Sequence, residues 1–394
     1  MRRRTSLFLV TLGGALALAG AITPSGALAQ EAAPARGGAA RHADSAAASP
    51  TAAPAPAAEP RAGIRIFPLP VIGYAPETKT VGGLAVIGLM RRVGGDSADR
   101  PTTVSASAMY TQLDQVTVEA GGEYWSPRNL WRLSGGAYFA RFPYRFYGIG
   151  GDTPDTFEER YTPLTYGGTV DARRLVRPNL YVGGGYDVQH TEMRKVERDG
   201  LLDRGTIAGS EGGLVSAASL VTNWDTRNNI FWPSRGSLVQ LGASRADGAI
   251  GSDFDFTRVT FDARRYVAVG KTRVLALQGL VSHSSGEVPF DRMAQLGGNV
   301  LRGYLQGRYR DKALTAVQAE FRTPVWRRLG AAVFGGVGQV GPRLADFDGG
   351  ELKSAGGFGL RYALSKEDKL NLRFDIGVGQ NSSGTYVTLG EAFE

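Results

Sequence analysis

The 394-residue sequence has no cysteine, so neither disulfide staples nor lipid attachment through a thiol is open to it. Histidine is almost absent too: His42, His190 and His283 are the full set. A barrel lipase or protease needs a histidine oriented beside a nucleophile. Ser282 and Ser284 flank His283, with Ser285 next in line, but immediate neighbours on a strand point to opposite faces. The sequence therefore reads as that of a protein that is not an enzyme. No cluster of histidines and acids has metal-ligand spacing and no glycine-rich segment has phosphate-loop spacing, so neither a metal nor a cofactor is expected. Beyond the N-terminus no apolar run is long enough for a membrane-spanning helix, which excludes the helical membrane proteins. The formal charge of +8 includes Arg2, Arg3 and Arg4, and the modest remainder is spread along the chain. That speaks against a nucleic-acid partner and suits a surface meeting anionic lipid headgroups.

What the sequence does have begins at its N-terminus. Arg2 to Arg4 precede an apolar stretch from about Leu7 to Ala21, and Ala27-Leu28-Ala29 follow before Gln30. This is the order of a secretory signal, with residues 1–29 as the cleaved peptide. Residues 30–63 are rich in alanine and proline without apolar periodicity, which predicts a disordered periplasmic linker. From residue 64 to 394 the period is two. Leu370, Leu372, Phe374, Ile376 and Val378 share one face, while Asn371, Arg373, Asp375, Gly377 and Gly379 share the other. Val317, Ala319 and Phe321 alternate in the same way with Gln318, Glu320 and Arg322, as do Val239, Leu241 and Ala243 with Gln240, Gly242 and Ser244.

A soluble β-sandwich alternates as well. The export signal, strands of about ten residues and a second face of small and charged residues favour a transmembrane antiparallel β-barrel. Trp125, Trp131, Tyr138, Phe139, Phe142, Tyr144, Phe146 and Tyr147 crowd strand ends, as interfacial girdles require. Strand-like segments begin near residues 64, 80, 103, 115, 130, 162, 178, 212, 236, 254, 272, 313, 330, 354, 368 and 384, which makes about sixteen. With both ends in the periplasm, the connections near 142–161, 194–211, 285–312 and 342–353 are long and outward, whereas those at Pro178, Gly270 and Ser365 are tight.

The longest connection carries Gln295-Leu296-Gly297-Gly298-Asn299-Val300-Leu301-Arg302-Gly303-Tyr304. This resembles the LGG and VRGY/F signature of BamA, TamA and the two-partner secretion transporters, a superfamily of sixteen-stranded outer-membrane barrels that includes the bacterial surface antigen family. Four further segments resemble motifs of that family in order: Tyr74-Ala75-Pro76-Glu77, Asp225 to Gly236, Glu320-Phe321-Arg322-Thr323-Pro324, and Gly357 to Tyr362. The Asp225 to Gly236 segment also reads simply as a tight turn.

The resemblance implies that the loop folds inward between the eleventh and twelfth strands, with Gly297, Gly298, Leu301, Gly303 and Tyr304 shaping it. A guanidinium suits such an anchor because it pairs bidentately with a carboxylate. By parity Glu320 points into the lumen, and the family pattern makes it the partner of Arg302. The family's second carboxylate, within F-x-D-x-G, is missing: Phe334-Gly335-Gly336-Val337-Gly338 stand there. Either Glu320 holds Arg302 alone or Asp375 contributes, with Arg361 and Arg373 as secondary lumen charges. The C-terminal segment alternates up to Phe393, so the last strand is expected to end there. Phe393 resembles the signal read by the barrel assembly machinery, with Glu394 as an addition.

The family's periplasmic polypeptide-transport-associated domains have no counterpart before residue 64. The resemblance implies insertion or translocation of protein or lipid, with the outer-membrane bilayer and unfolded outer-membrane or secreted clients as partners. The seam between first and last strands would be thinned by Gly82, Gly83, Gly88 and Gly390. Two other readings stay open. One is a passive channel whose preference is set by Arg258, Asp262, Arg264, Arg361, Arg373 and Asp375; the other is a surface-exposed structural barrel.

Overall fold

A computed structural model describes residues 63–75, 79–94, 99–154, 156–366 and 369–393. The expected signal peptide and most of the linker lie outside the described residues, as do Pro76 and Glu77 of the first family-like motif. No helix among the described residues is long and apolar enough to cross a membrane. The crossing is made by strands.

Among the described residues sixteen long strands form the wall: β1 (Gly63–Ala75), β2 (Lys79–Arg91), β3 (Thr102–Thr111), β4 (Val116–Trp125), β5 (Trp131–Arg141), β6 (Glu159–Arg177), β7 (Leu180–Val196) and β8 (Gly212–Asp225). They continue as β9 (Gly236–Ala246), β10 (Phe256–Val269), β11 (Arg273–Gly286), β12 (Ala313–Trp326), β13 (Leu329–Gly341), β14 (Lys353–Ser365), β15 (Leu370–Gly379) and β16 (Ser382–Leu389). The starting points predicted from periodicity agree with these to within about three residues. Each strand pairs antiparallel with the next, from β1 with β2 to β15 with β16. Among the described residues no ladder joins β1 to β16. The short strand Tyr144–Phe146 extends the wall beside β6 at the outer rim.

Side-chain parity sorts the two faces as the sequence predicts. On β12, Val317 is 55% exposed while Glu320 is wholly buried. On β15, Val378 faces out and Asp375 is buried. The apolar face requires a lipid surround and the polar face a lumen. The long connections 142–158, 197–211, 287–312 and 342–352 all lie at one rim, and the tight ones 178–179, 270–272 and 327–328 at the other, which orients the barrel with Gly63 and Leu389 at the periplasmic rim.

Two expectations need correction. Of the aromatics assigned to girdles, only Trp131 and Phe139 face outward. Trp125 is buried on the inner face, under Arg100 and against Tyr181, and Tyr138 donates to Gln189 Oε1 at 2.7 Å within the lumen. Phe142, Phe146 and Tyr147 are buried, with Phe146 packed on Phe290 and Leu202, because after Arg141 the chain continues past the membrane-crossing part of the wall and Phe146 packs with residues of the long outer loops. Tyr144 joins that cluster beside Tyr161. Tyr124, Trp224, Trp326 and Tyr362 do face outward, at the strand ends that meet the periplasmic turns, and form a girdle at that rim.

The second correction concerns the last strand, which stops at Leu389 rather than Phe393. Gly390, at φ +83°, turns the chain off the wall, and Phe393 is buried on the inside. Gly390 thus lies just past the end of β16, with its N–H still on the Asn371 carbonyl of β15.

Candidate functional site

The loop between β11 and β12 does not rise into solvent. It forms a short antiparallel hairpin, Ala294–Leu296 with Tyr309–Asp311, whose tip lies in the lumen. Leu296, Leu301, Tyr304 and Tyr309 pack on inward Leu314, Ala316 and Val340 of β12 and β13, so the loop is held by apolar burial as well as charge.

Arg302, at the tip, is 2% exposed. Its Nη2 lies 2.7 Å from Glu320 Oε2, and its Nη1 donates to Asp375 Oδ2. Its guanidinium stacks on Phe334, 3.6 Å from the ring centroid. The structure brings Arg302, Glu320 and Asp375 together, so the alternative in which Asp375 contributes is the arrangement found. Arg361 joins the same group, 3.2 Å from Glu320 and bonded to Asp375, and Arg373 lies 3.3 Å from Asp375. Arg322 donates to Glu320 at 2.7 Å. No residue of this group reaches the lipid face, because all its strand members share one parity.

Geometry explains why position 336 carries no side chain. A Cβ on Gly336 would sit 2.8 Å from the carbonyl oxygen of Val317 and 3.1 Å from Leu301 Cδ1. The Val317 carbonyl, Gln318 Cγ at 2.9 Å and Leu301 together leave no room for a side chain at this position, and Asp375, two strands away, supplies the charge. Gly336→Asp is therefore expected to lower stability by about 1–3 kcal/mol through overpacking, although it restores the family pattern. Urea unfolding of the refolded barrel measures this, and Leu301→Ala in the same chain should recover part of the loss.

The tip also touches the last strands through backbone. Gly303, at φ +133°, lies against β15, where a Cβ would come within 2.8 Å of the carbonyl carbon of Val378. Its N–H donates to the Tyr386 hydroxyl of β16 at 3.0 Å, and that hydroxyl donates to the Tyr304 carbonyl at 3.0 Å. The Tyr304 hydroxyl donates to the Ser354 carbonyl of β14 at 3.0 Å and accepts from the Gln380 N–H at 2.9 Å. Gly297 and Gly298, both at positive φ, make the turn that brings the tip round, and the Gly298 N–H closes it on the Tyr304 carbonyl.

A second anchor escaped the sequence reading. At the loop's base Arg292 pairs with Asp187 of β7 and donates to Gln189 Oε1 at 2.9 Å. Arg258 of β10 donates to the Arg292 carbonyl. Neighbouring Asp291 accepts from Gln189 at 2.9 Å and Thr191 at 3.2 Å. Burial pushes the Asp291 carboxyl above its ordinary range, against the opposite pull of Arg292. β7 and β15 are eight strands apart, so the loop is a strap fastened by one arginine at each end. The signal was available: Asp187 shares parity with inward residues, and Arg292 lies in the same long connection as Arg302.

The Asp225 to Gly236 segment folds as a closed periplasmic turn. Arg227 Nη2 lies 3.0 Å from Asp225 Oδ2, both side chains fully buried, and Asn228 Oδ1 accepts from the N–H groups of Ser234 and Arg235. It holds two strands together, and its Trp232 packs against the cluster of Tyr266, Val274, Ala276 and Phe393.

Residues 100–393 match the family model described as the Omp85 superfamily domain. In fold the chain is similar to BamA from Haemophilus ducreyi lacking POTRA domains 1-3, at TM-score 0.55 and 14% identity, covering 84% of this chain and 70% of that one. It is similar too to CdiB from Escherichia coli, at TM-score 0.56 and 10% identity, covering 84% of this chain and 62% of that one. For CdiB from Acinetobacter baumannii the values are 0.53, 12%, 83% and 59%. The chain thus spans less than two thirds of either CdiB. No curated protein matches it in sequence.

Proposed function

Because the chain belongs to the Omp85 superfamily, we propose that this outer-membrane barrel inserts or translocates protein or lipid by parting its wall between β1 and β16. The observation that carries the reading is the asymmetry of pairing: fourteen inner strands each have ladders on both sides, whereas β1 and β16 share none among the described residues. A wall held by ladders everywhere else opens most readily at the seam where no ladder is found among the described residues. The strap bears on the same region, since Gly303 and Tyr304 bond to Tyr386 of β16. Its anchors are the residues we assign to the mechanism: Arg302, Glu320 and Asp375 at the tip, with Arg292 and Asp187 at the base.

A passive channel fits less well. The strap crosses the lumen and buries the charges that would line a pore, including Arg361, Arg373 and Asp375. A planar bilayer separates the two readings: a channel conducts steadily, whereas the strapped barrel passes little current until the loop is deleted.

Depletion of the protein followed by quantitative profiling of outer-membrane proteins and lipids tests the reading in the cell. Loss of a defined set of outer-membrane proteins, or of a lipid class, is expected. An unchanged profile would remove it. We also propose residues 1–29 as a cleaved export signal, which N-terminal sequencing of the mature protein checks by a start at Gln30.

A further inference from the structure

The last residues of the chain do something that wall strands do not. After Leu389 the Gly390 N–H still donates to the Asn371 carbonyl at 2.8 Å, and then the backbone turns into the lumen. The Glu391 side chain is wholly buried: it accepts from Arg361 Nε at 2.8 Å and Asn371 Nδ2 at 2.6 Å, and lies 3.4 Å from Arg322 Nε. The Ala392 carbonyl accepts from Arg322 Nη2 at 2.6 Å. Phe393 packs with Tyr266 of β10 and Val274 and Ala276 of β11, and its carbonyl accepts from the Tyr266 hydroxyl. Its ring also lies 5.7 Å from the Arg302 guanidinium. Three residues therefore reach from β16 to β10 and β11 across the periplasmic mouth.

We propose that this floor of the lumen is a recognition site for an acidic, small, aromatic peptide segment, occupied in cis by Glu391 to Phe393 as a releasable latch. Three features distinguish it from ordinary core. Each residue of the segment meets a different chemistry: guanidinium and amide groups for the acid, a guanidinium for the carbonyl, an apolar pocket with a tyrosine for the ring. The segment is attached through a single glycine at positive φ and has no ladder of its own. It shares its arginines with the strap, because Arg361 holds Glu391, Glu320 and Asp375 together, and Arg322 holds Glu391 and Glu320. With the latch seated, the anchor of Arg302 is sealed from periplasmic water. With the latch withdrawn, Arg322 and Arg361 lose one of their carboxylates, and the site is free for a segment of the same chemistry from another chain. The inference stands on the lumen floor alone and does not depend on the seam between β1 and β16.

Two measurements test it, and the absence of native cysteine makes the first clean. Ala392→Cys in the full chain, refolded in detergent, should react slowly with a maleimide, and adding Glu391→Gln should speed the reaction about tenfold, as expected for loss of charge-assisted hydrogen bonds. A rate equal to that of an exposed cysteine, or one unmoved by Glu391→Gln, would overturn the latch. The second uses the barrel with residues 391–394 deleted and a fluorescent synthetic peptide of residues 389–394. Saturable binding to the shortened barrel, none to the full chain, and none for a Glu391→Lys peptide are expected. If the shortened barrel folds, shown by heat-modifiable migration, and the peptide does not bind, the recognition site is refuted. If it fails to fold, the maleimide rates on the full chain decide.

Discussion

Arg302→Glu should detach the strap from the wall and cost the folded barrel about 3–5 kcal/mol, the range for removing one partner of a buried ion pair. The reason is the number of carboxylates already there. Arg302 faces Glu320 and Asp375 with almost no exposure, so the substitution sets a third carboxylate against two in a site closed to water. It also removes the cation stacked on Phe334. The urea midpoint of the barrel refolded into vesicles reads the cost, and protease added from outside reads the loop, which should become cleavable between residues 297 and 308. Adding Glu320→Arg should recover only part of the loss, because Asp375 would still face the introduced carboxylate. A variant with wild-type stability and a protected loop would show that Arg302 is not the anchor.

Gly377→Val should undock the strap from the other side, with the wall left whole. A Cβ at this position would come within 2.6 Å of the carbonyl carbon and oxygen of Arg302 and 2.8 Å of the Gly303 nitrogen. These are backbone atoms of a turn pinned at both ends, so no flexible side chain can yield. Overpacking of this kind costs about 1–3 kcal/mol, and here the simplest relief is for the tip to leave. For the strand itself valine is the better residue, so Gly357 and Gly384, the neighbours of Gly377 across its two ladders, should keep their pairing. The expected result is a protease-sensitive loop with an unchanged β-sheet circular dichroism spectrum. Gly379→Val should act alike, since its Cβ would meet the Tyr304 ring at 2.6 Å.

The wall was legible in the sequence because a period of two assigns every side chain to lipid or lumen once one residue is placed. That parity put Glu320 and Asp375 inside and ordered sixteen strands correctly. It could not measure distance across the lumen, which is why Asp375 stood only as an alternative partner and Asp187 was missed: both lie far along the chain from the arginines they meet. Gly336 read as a lost carboxylate and is better understood as the floor under Leu301, a packing relation that no spacing rule contains. The aromatics from Phe142 to Tyr147 were misplaced because density of rings near a strand end signals an interface only while the chain stays in the membrane-crossing part of the wall. The last strand failed for a related reason. Alternation runs on past Leu389, but Gly390 permits a turn and buried arginines draw Glu391 inward, so a tertiary interaction overrides the local pattern.

We propose that the strapped barrel promotes protein insertion into the membrane around it, the part of the function most open to direct measurement. Its most direct test is the folding rate of an unfolded outer-membrane barrel added to lipid vesicles containing the purified protein. Folding faster than into empty vesicles, with the gain lost in the Arg302→Glu variant, is the predicted result. Equal rates with and without the protein, in vesicles where its own heat-modifiable band shows it folded, would contradict the claim.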